Sequence, residues 1–197
     1  MPKVVSNTTP IISLLKIDKL QILKDLYGEI IIPQEVFNEI EAGKSKGYYA
    51  DLSKIEWIKV KKIKDQKSLS YFLDLDKGES ETIILATEID ADLTILDETL
   101  GRYHAKHAGL KLTGTLGILL KAKKIGYIKE IKPLLYELKE RGIWLSNNLI
   151  QKVLKLATIK FIGFSLVVKF NFYIQKMVFS QKKLILVVYL LEIVVFL

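Results

Sequence analysis

The chain has no cysteine and only two histidines among its 197 residues. Without thiols there is neither a disulfide nor a thiolate metal site. With His104 and His107 alone, a zinc centre is not expected. No Ser-His or Cys-His arrangement suited to covalent catalysis stands out. The opening Met1-Pro-Lys-Val-Val leads directly into a strand, so no signal peptide is visible and a cytosolic setting is expected. The longest apolar stretch, Leu184 to Leu197, is 14 residues interrupted by Glu192, short of the roughly 20 that span a bilayer as a helix.

Half of the residues are hydrophobic, enough for a substantial core. The length predicts one domain of moderate size plus an additional segment. The formal charge is +8, divided evenly between residues 1–158 and residues 159–197. A mildly basic domain suits a nucleic-acid partner, whose phosphates attract lysine and arginine. Lysine-rich surfaces also serve solubility alone.

The stretch from Gly78 to Asp97 organises the chain. Gly78 is expected to stop what precedes it, and Glu79 and Glu81 fall in a first helical turn, where acids suit the helix dipole. Ile83, Ile84 and Ala86 recur at helical spacing, and Leu93-Thr94-Ile95-Leu96 reads as a buried strand ending at Asp97-Glu98. In a βαβ unit a helix starts at the edge where parallel strands end. Glu79 and Asp97 are therefore expected at one sheet edge, where two carboxylates suit a hard divalent cation. Taken singly, each has a plainer reading, as a helix-dipole acid and as the N-cap of the helix starting at Thr99.

Around this unit the pattern alternates. A strand at Val4 to Asn7 leads into a helix begun by Thr8-Thr9-Pro10, then a helix from Leu20 to Tyr27 ended by Gly28. Glu29 to Pro33 reads as a strand buried on both faces, followed by a helix from Gln34 to Glu41. Ile55 to Val60 is expected to be a strand carrying Trp57, and Ser68 to Leu73 a short helix. Thr99 to Ala108 and Leu116 to Ile125 read as helices flanking a short strand, Leu110 to Thr113. Amphipathic helices follow near Lys129 to Arg141 and Asn147 to Ala157. Alternating strands and helices predict an α/β fold with a parallel sheet covered on both sides.

Composition changes after Thr158. Of the last 39 residues 27 are apolar, six of the eight phenylalanines lie there, and Asp and Pro are absent. Residues 159–197 therefore read either as a membrane-associated hydrophobic segment or as a non-native extension, such as translation of AT-rich sequence past a lost stop codon would produce.

By the same edge rule Asn7 ends the first strand near Glu79 and Asp97, and Glu39 borders the apolar face of the helix after the second strand. The stretches VVSNTTPIISLLKI, IIIPQEVFNEI, GESETIILATEIDADLTILDETLGR and LTGTLGILLKAKKIG together resemble the PIN-domain family, nearest the prokaryotic toxin-like (VapC-like) proteins and an uncharacterised related group. The resemblance covers residues 4 to about 157. It implies a three-layer α/β/α sandwich around a parallel sheet, and an acidic pocket that binds Mg²⁺ or Mn²⁺ and cuts RNA. Carried over by position, it implies a metal and catalytic set of Asn7, Glu39, Glu79 and Asp97. It places Thr113 and Thr115 where a polar helper is sometimes found. It also implies an antitoxin partner and a homodimer. Asn7 departs from the pattern, standing where the family usually has an aspartate. An amide carbonyl can ligate Mg²⁺ but lacks the charge, which predicts weaker metal affinity.

Arg102 and Lys106, four apart on the helix after Asp97, could contact substrate phosphates or face solvent. Lys121, Lys123 and Lys124 form a basic cluster with the same two readings. Trp57 and Trp144 read as core or interface anchors. The leading expectation is a metal-dependent ribonuclease, the toxin of a toxin–antitoxin pair. The alternatives are a catalytically weak domain that binds nucleic acid or a partner protein, and a membrane-tethered version of the same domain.

Overall fold

The computed structural model describes residues 1–158, so the readings of residues 159–197 as a membrane segment or an extension lie outside the described residues. The chain divides into a unit Met1–Leu154 and a second beginning at Lys155. The first is an α/β/α sandwich on a five-stranded, all-parallel sheet in the order β3-β2-β1-β4-β5. Its strands are β1 (Val4–Ser6), β2 (Ile30–Pro33), β3 (Ile58–Lys61), β4 (Leu93–Ile95) and β5 (Leu112–Thr113). The helices are α1 (Thr8–Lys16), α2 (Gln21–Tyr27), α3 (Gln34–Ala42), α4 (Lys77–Glu88), α5 (Thr99–His107), α6 (Thr115–Lys124) and α7 (Lys132–Glu140). A further helix occupies residues 147–158.

The central strands are short and mostly apolar, with Ser6 and Thr94 as buried polar exceptions, because helices cover both faces. Val4, Val5, Ile30 and Ile32 are fully buried. On one face Val5 and Ile31 meet Ile84, Leu85 and Ala86 of α4, and Ile83 packs with Leu96 and with Ala105 of α5. Helix α4 is buried from Gly78 through Ala86 without a break. A helix enclosed on all sides does not need an amphipathic stripe, and α4 touches α3, α5, β1, β2 and β4.

Several boundaries shift from the sequence reading, each for a local reason. Gly78 does not end an element. It lies in the first turn of α4, whose N-cap Asp76 accepts the backbone N–H of Glu79 at 2.6 Å. Strand β3 begins after Trp57, which sits in the preceding turn. Leu52–Lys54 and Gln66–Tyr71 form 3-10 turns, capped by Asp51 and Asp65. Gly28 follows α2 at φ +81°, a left-handed position open to glycine without strain, whereas Gly43 after α3 stays at φ −85°. Trp144 is 85 % exposed and anchors no core. Among the described residues no helix is long and apolar enough to cross a membrane.

Ile83 tests whether α4 carries the core. Ile83→Ala removes a fully enclosed side chain between sheet and α5, and urea unfolding is expected to show a loss of about 2–5 kcal/mol. An unchanged midpoint would rule out this role for α4.

Candidate active site

The strand order sets one place apart. From β1 the chain steps outward to β2 and β3, then returns to lay β4 on the other side of β1. The connections leaving the carboxyl ends of β1 and β4 diverge there, which is where open parallel sheets hold their ligands. Ser6 pairs with Ile95, and the backbone N–H of Asn7 donates to the Ile95 carbonyl at 2.9 Å. Asn7 and Asp97 thus leave adjacent strands at nearly one level, and α4 brings Glu79 to the same edge.

Glu79 is only 5 % exposed. Its carboxyl lies against Gly101 of α5, where an added Cβ would stand 2.8 Å from Oε1. That oxygen is buried and has no hydrogen-bond partner. Burial, then the nearby charges of Asp76, Glu98 and Glu39, push the Glu79 pKa up to about 7.

Glu39 reaches the edge from α3. The Thr8 hydroxyl donates to its Oε2, and a Cβ on Gly78 would come within 2.5 Å of its Oε1. The absence of a side chain at Gly78 is what lets this carboxylate lie against the start of α4. Burial raises the Glu39 pKa, the Thr8 hydroxyl and Gly78 N–H oppose this, and Asp76 and Glu35 add to it.

Asp97 is held by Thr115, the first residue of α6. The Thr115 backbone N–H donates to Oδ1 at 2.8 Å and its hydroxyl to Oδ2 at 2.5 Å. Asp97 therefore caps α6, not α5 as its position in sequence suggests; the N-cap residue of α5 is Glu98. Burial raises the Asp97 pKa above the usual aspartate range, against the two Thr115 bonds and Arg102, while Glu98 adds to the rise.

Asn7 is buried at 2 % exposure. Its Nδ2 donates to Glu98 Oε2 at 3.3 Å, and its Oδ1 lies 3.4 Å from the Thr82 hydroxyl. That hydroxyl makes a shorter bond, 2.7 Å, to the Gly78 carbonyl.

The remaining candidates divide. Arg102 donates from one terminal nitrogen to the carbonyls of Leu96 and Thr113, at 2.6 and 2.9 Å, tying the ends of β4 and β5 together. Thr113 ends β5 with its hydroxyl against Gly117. Arg102 and Thr115 thus flank Asp97, whereas Thr113 joins the group only through its carbonyl, which accepts from Arg102. Lys106 is exposed in the last turn of α5, about 10 Å along the axis from its start, and is not brought to this edge. His104 pairs instead with Asp74 at 3.0 Å, and Lys121 lies over the Tyr27 ring. Sequence reasoning missed two acids, Asp76 and Glu98. The Asp76-Lys77-Gly78-Glu79 spacing is that of a helix N-terminus and could have revealed Asp76. Glu98 had no signal beyond following Asp97.

The donors are carboxylate oxygens and an amide, the set preferred by hard divalent ions. Glu39, Glu79 and Asp97 all have raised pKa values, so negative charge is unfavourable here and a cation would relieve it. The orphaned Glu79 Oε1 fits the same requirement. Among the described residues no three acidic or histidine side chains converge closely enough to cage an ion by themselves. Mg²⁺ does not require such a cage, since it commonly keeps several waters and takes one or two carboxylates.

Residues 3–158 match the family model of the PIN domain. Among solved structures, a PilT N-terminus domain protein from the hyperthermophilic archaeon Sulfolobus solfataricus P2 is similar at TM-score 0.44 and 16 % identity, over 73 % of this chain and 97 % of that one. No curated protein matches the chain.

The raised pKa of Glu79 gives stability a definite pH dependence. A carboxyl whose folded pKa lies above its unfolded value stabilises the fold below the unfolded value, and that contribution is lost as pH rises through the folded one. For Glu79 the window runs from about 4.5 to about 7. In EDTA, thermal melts of Glu79→Gln and the wild type should nearly coincide at pH 4. At pH 8 the variant should be the more stable, by on the order of 2 kcal/mol. A difference that does not change with pH would contradict the raised pKa.

Proposed function

The chain belongs to the PIN-domain family, and on that premise we propose that it is a Mg²⁺- or Mn²⁺-dependent endoribonuclease, the toxin of a toxin–antitoxin pair. Proteins of this family are in general metal-dependent nucleases. The observation that carries the reading is Glu79, a buried carboxyl with an unpartnered oxygen, set among the charges of Asp76, Glu98 and Glu39.

Glu79 and Asp97, with Glu39 beside them and the Asn7 amide assisting, are the residues that would hold the ion. Bound there, an ion of this kind would supply an acidified water as nucleophile and would neutralise charge on the scissile phosphate. The protein's own part is positioning. Thr115 occupies one site on each Asp97 oxygen and fixes the carboxylate plane. An ionised carboxylate accepts at about four sites, so two remain for ligation. The Thr8 hydroxyl holds one oxygen of Glu39, Oε2. Glu79 must lose its proton to ligate, so an ion and a proton would compete for this carboxylate. The net charge of +8 favours encounter with a polyanion and makes binding sensitive to salt.

Asn7 favours a second reading, a PIN domain that binds RNA or a protein with little cleavage. The two diverge in EDTA. A binding module keeps its RNA affinity without the ion and cuts nothing with it. Either reading allows a homodimer, and the toxin reading adds an antitoxin partner.

Incubating the full chain with a mixed single-stranded RNA pool should give cleavage with Mn²⁺ or Mg²⁺ and none in EDTA. Asp97→Asn should lower the rate by about 100-fold or more, since even outer partners of a metal typically cost roughly 10–100-fold. Full activity in that variant would remove Asp97 from the site.

A further inference from the structure

Two helix N-cap residues at the sheet edge do not cap their helices. Asn7 precedes α1 and Glu98 precedes α5, and neither side chain bonds to its own helix. They meet each other instead: Asn7 Nδ2 donates to Glu98 Oε2 at 3.3 Å. The Thr9 hydroxyl, from the first turn of α1, donates to the other oxygen, Oε1. Both Glu98 oxygens are therefore fixed from one side, and each keeps acceptor capacity. The carboxylate so held lies close enough for its charge to act on both Glu79 and Asp97. Beside it Glu79, 5 % exposed, presents an oxygen with no partner.

Building on the metal-dependent reading above, we propose that Glu98 is a further metal-binding carboxylate, and that it supplies the negative charge that an aspartate at position 7 would otherwise carry. An aspartate at 7 would oppose Glu98 with like charge at hydrogen-bond distance, and two carboxylates so placed do not both ionise readily. An asparagine turns that repulsion into a donated bond and leaves its own carbonyl toward Thr82. The local charge is the same as for an aspartate at 7 beside a neutral residue at 98. The weaker metal affinity expected from Asn7 alone is thereby offset.

The plainer role for Glu98 is to tie α1 to α5. A glutamine would preserve much of that tie, because its carbonyl still accepts, but it carries no charge. Titration calorimetry of the full chain with MnCl₂, run on wild type, Glu98→Gln and the double variant Asn7→Asp/Glu98→Gln, separates the two roles. Melting each protein in EDTA checks folding. The wild type should bind Mn²⁺, Glu98→Gln should bind about 10-fold more weakly or worse, and the double variant should recover most of the loss. If Glu98→Gln does not fold, Thr9→Val carries the test, because it withdraws one donor from Glu98 and changes no charge. Its affinity should fall several-fold, and an unchanged value would overturn the proposal. Wild-type affinity in a folded Glu98→Gln, or no recovery in the double variant, would overturn the role of Glu98 and leave the metal-dependent reading standing. No Mn²⁺ binding by the wild type would overturn both.

Discussion

A buried carboxyl oxygen without a hydrogen-bond partner is costly, and the cost grows when other carboxylates surround it. This fold holds Glu79 in that condition at the first turn of its most enclosed helix. The elements around the switch point can be understood as what keeps it there. Helix α4 cannot move outward, because α3, α5 and the sheet enclose it. The carboxyl is packed against Gly101 of α5 and is almost fully buried. Apolar burial along Ile83 to Ala86 holds the helix, and the Asp76 cap on the Glu79 N–H fixes its first turn.

Two glycines make the arrangement possible by what they lack. Gly78 leaves room for the Glu39 carboxylate and Gly101 leaves room for that of Glu79. Each is a helical position where alanine would favour the helix by about 1 kcal/mol, so propensity yields to space for an acid. The threonines act in the opposite sense. Thr8, Thr9 and Thr115 each donate a hydroxyl to a different carboxylate, Glu39, Glu98 and Asp97, and fix groups that would otherwise repel one another apart. Glu79 has no such hydroxyl. It is the member of the group least satisfied by the protein and most in need of a cation.

Much of the fold was legible because parallel-sheet strands carry an unambiguous pattern. Ile30-Ile31-Ile32 and Val4-Val5 are continuous apolar runs, and each is followed by a helix start. The errors fall where a tertiary partner overrides a local signal. Gly78 reads as a breaker until Asp76 is seen capping α4 ahead of it. Asp97 reads as the cap of the helix next to it in sequence, whereas it caps α6, which begins 18 residues later. Trp144 reads as a core or interface anchor because it is large and apolar, and its exposure removes the core alternative.

The sequence by itself determined the alternation of strands and helices, the sheet's parallel character, and the arrival of Asn7, Glu79 and Asp97 at one edge. Each of these follows from periodicity and from the rule that a helix starts where a parallel strand ends. Only the tertiary structure decided how the acids face one another: Asn7 against Glu98, Asp97 against Thr115, Glu39 against Thr8 and Gly78, and Glu79 against no donor. Those pairings join residues 18 to 91 positions apart, set by strand order and by which helices share the switch point. Local pattern carries no information about such distances, because a side chain's hydrogen-bond partner is chosen by packing and not by its neighbours in sequence.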